Sequence, residues 1–342
     1  MGMQQMFLGM GAGDAWEEAG ITATGGTMHT NQENPDGTPY TWHVFPGGPR
    51  GPNTNLTYDF DVTAVSGPGK FEYIMMAGGG VGGISPNPDP SNPGDYRGAG
   101  GGGAGGVICN FESPPADPGT YHPFYPSSPG AQTASVQAYP ISVGRAGAGN
   151  PPGDRKGKDT SFLGLTATCG GWGAHANGPA GPAGSGGSGG GGGSPPGVTG
   201  GGAGTPGQGK PGGDGENASA GGGGGATTGG GGASGAGGTG VLFDDASYFR
   251  LGNYLGGVAD DPANPGHRYL AGGGGGGGPS GSGFPPGVGG FGGGGDAGNP
   301  NGNGGNADNW SGGGGGGGGG GDQTRFAGHG GQGMVFIRYV AN

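Results

Sequence analysis

The feature that most constrains this chain is its runs of bare glycine. Gly272–Gly278 is unbroken, and Gly312–Gly321 is ten consecutive glycines. A tract without side chains folds only if its backbone makes the contacts. Of 342 residues, 108 are Gly and 31 are Pro, while 29% are apolar and 10% charged. Too few side chains remain to fill an ordinary core of that length, so an enzyme is not expected. Three architectures accommodate such a composition: collagen, disordered low-complexity chain, or an ordered assembly of glycine helices.

Collagen needs Gly at every third position. That register holds from Gly178 to Gly193 and fails at Pro196, and the other tracts are plain polyglycine. Disorder is the usual outcome when Gly plus Pro passes about 25–30% without a period. Strand-like segments on both sides of the glycine region argue against it. Ordering each glycine costs about 1–2 kcal/mol, which burial of side chains does not offset here. Hydrogen bonds must compensate. A threefold extended helix rises about 3.1 Å per residue and points its N–H and C=O groups outward. Packed side by side, such helices bond one another, and only Gly lets their axes approach. The sequence therefore predicts a bundle of polyglycine II helices, with Gly312–Gly321 spanning about 31 Å.

The rest reads as β. Tyr40–Phe45 is a strand candidate, and Leu56–Val62 alternates apolar with polar residues as a half-buried strand does. Phe71–Ala77 runs directly into Gly78. Turn clusters follow at Pro46–Pro49 and Ser66–Gly69. Further candidates are Val107–Phe111, Ala138–Val143, Ser161–Thr168 and Met334–Val340. The last is rich in β-branched and aromatic residues, and its expected partner is the 71–77 strand, which closes the glycine region into one unit. Helix signals are confined to short turns at Asp14–Ala19 and Asp244–Leu251. The expected fold is mainly β plus irregular structure: a small antiparallel β-sandwich joined to a packed polyglycine II bundle, with almost no α-helix. Residues 1–30 read as an N-terminal attachment segment. Residues 31–342 read as a single domain, β-rich at 36–77, 105–111, 138–168 and 334–341, with the bundle and its loop insertions over 78–333.

A net charge of −11 opposes nucleic-acid binding and anionic membrane surfaces. No run of 18 apolar residues suggests membrane insertion, and the opening MGMQQMFLGMG lacks the basic start of a signal peptide. Cys109 and Cys169 are too few for a disulfide framework; free buried thiols are the simpler reading and a single bridge the other. GxGxxG matches occur by chance throughout. Gly204–Lys210 resembles a phosphate loop, but Pro211 stands where a Ser or Thr would hold Mg²⁺. The six His residues lack metal-ligand spacing, and no nucleophilic constellation can be assembled. Asp244-Asp245 and Asp260-Asp261 read better as solvated carboxylates than as a Ca²⁺ site. No catalytic residue, metal site or cofactor is expected.

A bundle of bare glycine recognises nothing by itself, so contacts must come from loops. The candidates are Tyr121, His122, Phe124 and Tyr125 between prolines, Phe243, Tyr248, Phe249 and Tyr254 in the 241–270 island, and Trp310. Each either seals a bundle end, packs on a neighbouring subunit, or touches a receptor. Met1, Met3, Met6, Phe7 and Leu8 form a soft apolar start, suited to docking on another protein or to packing as a strand or plug on the chain's own core.

The order of segments also carries a resemblance. Phe71–Gly80, then GAGGGGAGGVI at 98–108, Tyr139–Gly144, Thr160–Gly171, several Gly tracts and the final GHGGQGMVFIRYV together resemble the glycine-rich domain of phage tail-fibre and virion structural proteins. The resemblance covers about residues 36–342. The N-terminus is similar to structural proteins of marine tailed phages that infect cyanobacteria. Related domains occur in phage tip adhesins, where the tracts form polyglycine II helices, and in receptors of the anaplastic-lymphoma-kinase type. The resemblance implies a virion protein exposed on the particle surface after assembly in the host cytoplasm. Its expected role is a tail fibre or tip adhesin displaying host-recognition loops; the alternative is a capsid decoration or structural fibre without receptor binding. Expected partners are other virion proteins through the N-terminus, a host surface receptor or glycan, and further copies of the chain. The Pro-rich insertions at 84–97 and 112–130 and the 241–270 island depart from that pattern.

Overall fold

The structure, a computed structural model, describes residues 20–33, 39–50, 54–86, 97–110, 131–148, 155–176, 182–194, 199–216, 219–232, 235–244, 268–279 and 285–340. Among these residues the regular elements are strands, and there is no helix. In chain order they are β1 (Gly20–Thr24), β2 (Thr27–Glu33), β3 (Pro39–Pro46), β4 (Leu56–Ser66), β5 (Lys70–Met76), β6 (Val107–Cys109) and β7 (Gln132–Thr133). Then come β8 (Gln137–Val143), β9 (Thr160–Phe162), β10 (Leu165–Ala167), β11 (Val241–Asp244), β12 (Arg268–Leu270) and β13 (Met334–Val340). All named pairings are antiparallel. One sheet has the order β1-β4-β8-β9-β10 and the other β2-β3-β13-β5-β6, with β7 added to β5 and a separate β11-β12 ladder.

The two sheets face one another across an aromatic core. Phe60 of β4 meets Phe71 of β5 at 5.4 Å between ring centres, and Tyr73 meets Phe162 of β9 at 5.2 Å. These edge-on contacts are the geometry that aromatic quadrupoles favour. β4 shows how the pattern selects the face: Phe60 and Val62 are buried while Asp59 and Asp61 are exposed.

β13 lies between β3 and β5, as its apolar sequence and the 71–77 pairing require: Val335 is opposite Phe45 and Met75, and Phe336 opposite Val44 and Ile74. Val335, Ile337 and Tyr339 enter the core between the sheets. Met334 and Phe336 point the other way, onto a second core built with Ala104, Ala226, Val241, Leu270 and Ala271. Both faces of β13 are therefore covered, which accounts for its near-continuous hydrophobicity.

Beyond the strands the chain forms the expected lattice. Gly78 and Val81 donate N–H bonds to Lys158 and Arg155, Gly79 and Gly82 to Gly331 and Gly328, and Gly80 and Gly83 to Gly103 and Gly100. Each successive residue addresses a different neighbour, and the pattern returns every third residue. That is the signature of a threefold helix with outward-pointing backbone groups. Neighbours run in both directions: Gly170, Gly173 and Ala176 donate to Gly78, Val81 and Ile84, so those two tracts are parallel.

The tract over 98–106 is the centre. Its N–H groups go to the tracts around Gly171–Ala174, Gly221–Gly224 and Gly312–Gly318. Its carbonyls accept from Gly80 and Gly83, from Ser188 and Gly191, and from Gly274 and Gly277. Six neighbours surround it, so almost no backbone group there lacks a partner. A Cβ on Gly101 would overlap the Gly274 carbonyl, which shows why the axes need Gly.

Side chains finish the margins of the lattice. Asn303 and Asn306 accept from the N–H groups of Phe326 and His329, each at 2.9 Å, and Asp214 and Asp296 accept from Gly201 and Gly289, each at 2.8 Å. The spacing of Asn303 and Asn306 is the lattice period, with carboxamides standing in for a further helix.

Three expectations change. The boundary at residue 30 moves, because β1 and β2 place residues 20–33 in both sheets. Ile21 and Ala23 alternate inward on β1, and the corner at Gly25 and Gly26, with φ of 114° and 58°, carries the chain from one sheet to the other. The single strand expected over 161–168 is a hairpin. Leu163 and Gly164 have φ of 54° and 73°, the two left-handed positions of a tight turn. Asp244 closes a strand and does not open a helix; the remainder of that proposed turn, and the turn at 14–19, lie outside the described residues.

Candidate functional site

The topology gives the molecule two poles. β5, β8, β10 and β12 end, and β6, β11 and β13 begin, where glycine tracts take over. Antiparallel pairing puts these junctions together: Met76 is opposite both Met334 and Val107. The glycine bundle therefore grows from one end of the sheets. At the opposite end stand Gly20, paired with Ser66, and the flanks of the segments 111–130 and 245–267. Asn110 is held across from Tyr73, its side chain accepting the Tyr73 N–H at 2.6 Å. β7 rejoins β5 at Lys70 and Phe71, and the ladder of Val241 with Leu270 and Asp244 with Arg268 fixes both flanks of 245–267.

Of the aromatic candidates, Tyr121, His122, Phe124, Tyr125, Tyr248, Phe249 and Tyr254 lie outside the described residues, as do Met1, Met3, Met6, Phe7 and Leu8. Phe243 stands on β11. Trp310 is at neither pole. It occupies a turn where the bundle meets the sheets, in a left-handed conformation with φ of 57°. Its indole N–H donates to Gly47 O at 3.1 Å and its backbone N–H to Gln332 at 3.2 Å. The residue is 37% exposed, so the indole is tied to the junction through its N–H and remains in reach of solvent.

The charge pattern picks out a different place, which the sequence reading passed over. Arg155, Lys156 and Lys158 fall within four positions of an acidic chain with 12 Lys and Arg in all, and that density was the available signal. With Gly157, Asp159, Thr168, Cys169 and Trp172 they line a cleft of about 590 Å³. Arg155 and Lys156 lie over the Trp172 ring, at 5.2 and 5.3 Å from its centre. Arg155 Nη1 is also 2.6 Å from His175 Nε2. Burial, and then that guanidinium, hold His175 down at about 4, so its ring is neutral near pH 7. Burial and Asp159 push the Cys169 thiol up to about 12, which makes it a poor nucleophile. Cys109 and Cys169 are free and buried. A second cleft of about 570 Å³, on the first sheet, is lined by Thr57, Asp59, Ser142, Ser161 and Thr166 among others.

Other buried titratable groups serve the packing of the sheets. His43 is fully buried between the sheets; its Nδ1–H donates to Gly25 O at 2.7 Å and Nε2 accepts from the Tyr339 hydroxyl at 2.9 Å. Arg338 reaches Glu72 through Nη2 at 2.5 Å and Nε at 2.6 Å while lying over Tyr40 and Trp42. Among the described residues no group of three or more His, Cys, Asp or Glu is placed to hold a metal ion, and no helix is long and apolar enough to cross a membrane.

A family model described as a glycine-rich domain matches residues 53–340. No curated protein matches the chain.

Proposed function

Because the chain belongs to the glycine-rich domain family, and because its bundle grows from one end of the sheets only, we propose that it is a structural protein of a tailed-phage virion. In this reading it is a tail fibre or tip adhesin that works by binding. The observation that supports the reading is the separation of poles. Residue 20 and the flanks of both aromatic insertions stand at the sheet pole. Residues 1–19 and the aromatic insertions then make the contacts to other virion proteins or to further copies of the chain. The bundle, stiffened by hydrogen bonds to as many as six neighbours, holds the opposite pole and its loops away from the particle. Those loops, between tracts such as 182–194 and 199–204, meet the host receptor or glycan.

A small tag placed at the N-terminus, or within 280–284, and imaged on intact particles tests this. The N-terminal label is expected at the particle body and the 280–284 label at the free end, with host adsorption lost only when the second tag is covered by antibody. Many symmetric copies on the capsid shell, with adsorption indifferent to both tags, would overturn it in favour of a decoration protein.

A further inference from the structure

We propose that the cleft on the outer face of the first sheet is a binding site for a neutral oligosaccharide about three sugars long. The site lies on the sandwich and does not depend on the particle role. The second sheet's outer face is covered by the core it shares with the bundle. The first sheet keeps its outer face open, and the register sets one row of hydroxyls across it. Thr57 is opposite Ser142, Ser142 opposite Ser161, and Ser161 opposite Thr166. Four strands thus contribute one hydroxyl each, spaced by about 4.8 Å, and the row runs about 14 Å. That step is close to the advance of one pyranose along an oligosaccharide.

Pro140 shapes the space. It brings no N–H to a neighbouring strand, and the pairing of β8 with β9 stops beside it, at Ile141 and Phe162. Past that point the turn at Leu163 and Gly164, together with Pro140, lines the cleft of about 570 Å³. The hydroxyl row is held in place before any ligand arrives. Asn55 Nδ2 donates to Ser142 Oγ at 3.0 Å and to Asp159 O at 3.1 Å, which leaves Ser142 its own proton to give. Gln208 donates to Thr166 O at 3.0 Å and accepts the Thr168 N–H at 2.7 Å, which fixes the edge strand β10. Among the described residues no Lys, Arg or His lines the cleft, and Asp59 repels anions. Four hydroxyls beside one carboxylate match a ligand whose polar groups are themselves hydroxyls. Pro140 and Leu165, both exposed, offer apolar surface to the C–H faces of the rings.

The full chain, biotinylated at its N-terminus and clustered on streptavidin, is applied to an array of neutral, sialylated and sulfated oligosaccharides. Binding confined to neutral glycans is expected, and calorimetry of the strongest with the free chain gives its affinity. Thr57→Val and Thr166→Val keep the branched shape and remove only the hydroxyl. The melting temperature should therefore hold while each lowers affinity several-fold. The two together, or Asp59→Asn, should cost about tenfold or more. Thr24→Val, exposed on the same sheet but outside the cleft, should change nothing. Sialylated or sulfated glycans bound ahead of neutral ones, no neutral glycan bound, or full affinity in the folded double variant would overturn the proposal. Trilysine bound in calorimetry by a chain that binds no neutral glycan would assign the face to a basic peptide and overturn it equally.

Discussion

The sandwich and the bundle are one chain solving the same problem with opposite materials. Between the sheets, space is filled by side chains: Phe45, Phe60, Phe71 and Phe162 are 1% exposed or less. In the bundle, space is filled by backbone: a Cβ added to Gly78, Gly101 or Gly316 would overlap a neighbouring carbonyl. A strand bonds to neighbours in one plane, whereas the tract over 98–106 bonds to six around its axis. The difference teaches that the two regions should fail in opposite directions. The sandwich should be hurt by removing atoms and the bundle by adding them.

The largest effect is expected at Gly315. Its N–H donates to Gly80 O and its carbonyl accepts from Gly102, while a Cβ would overlap Gly328 O. Gly315→Val cannot be relieved by a rotamer, because the obstacle is backbone. Loss should exceed the usual overpacking penalty of about 1–3 kcal/mol, and the variant should be recovered insoluble or already unfolded by circular dichroism. Next comes Phe60→Ala, which empties the centre of the sandwich and should cost about 3–5 kcal/mol in chemical denaturation. A Gly315→Val chain that melts like the parent would break the comparison outright.

Glu72→Gln follows. Arg338 is 5% exposed, and it would keep its charge after its carboxylate partner is neutralised. Breaking such a pair costs about 3–5 kcal/mol when fully buried, and the partial exposure of Glu72 puts this case at the lower end. The double change Glu72→Met with Arg338→Met should recover most of the loss, which separates the cost of an orphaned charge from that of lost packing.

How much of this was legible depended on which material carried the signal. The paired strands 71–77 and 334–340 could be read because apolar and β-branched residues mark burial directly. The lattice could be read because strand-like segments flank the glycine region, and an ordered Gly312–Gly321 has only backbone with which to bond its neighbours. β1 and β2 were obscured by a Met-rich, Gly-punctuated start with a corner at Gly25 and Gly26, where no single-face alternation survives. The hairpin at Leu163 was hidden since Leu rarely takes a left-handed conformation. The poles were legible only in part: the expected pairing of 71–77 with 334–340 brings two junctions together, but the places of β6, β8, β10, β11 and β12 follow from the full strand order, which their short sequences do not mark. The cluster of Arg155, Lys156 and Lys158 was visible as a charge density, but only the fold places Trp172 under two of its cations.

Acid should reveal whether the two regions yield together. His43 belongs to the sandwich and His175 to the bundle, and burial holds both below the ordinary 6.5, His175 at about 4. As pH falls from about 6.5 the unfolded chain takes up protons that the folded chain refuses, so stability falls toward pH 4 and is fully present above about 7. His43→Asn should flatten that dependence in the sandwich and His175→Asn in the bundle. Tryptophan fluorescence reports both regions, through Trp42 and Trp172. A single transition whose pH slope ignores both changes would show that neither imidazole controls acid stability.

The smallest effect marks where the bundle stops being a bundle. Gly200 sits on the margin, where the nearest atom to an added Cβ is Asp214 Oδ1 at 3.9 Å, an ordinary contact distance. Its φ is one that other residues adopt, so a methyl group meets neither a neighbour nor strain. Gly200→Ala should therefore leave stability within about 0.5 kcal/mol or raise it by up to about 1 kcal/mol, through the lower entropy of the unfolded chain. Paired with Gly315→Ala, which adds the same methyl group in the interior, it isolates position as the sole variable. If both variants melt alike, glycine here serves chain flexibility and not close approach, and the backbone-packed core loses its physical basis.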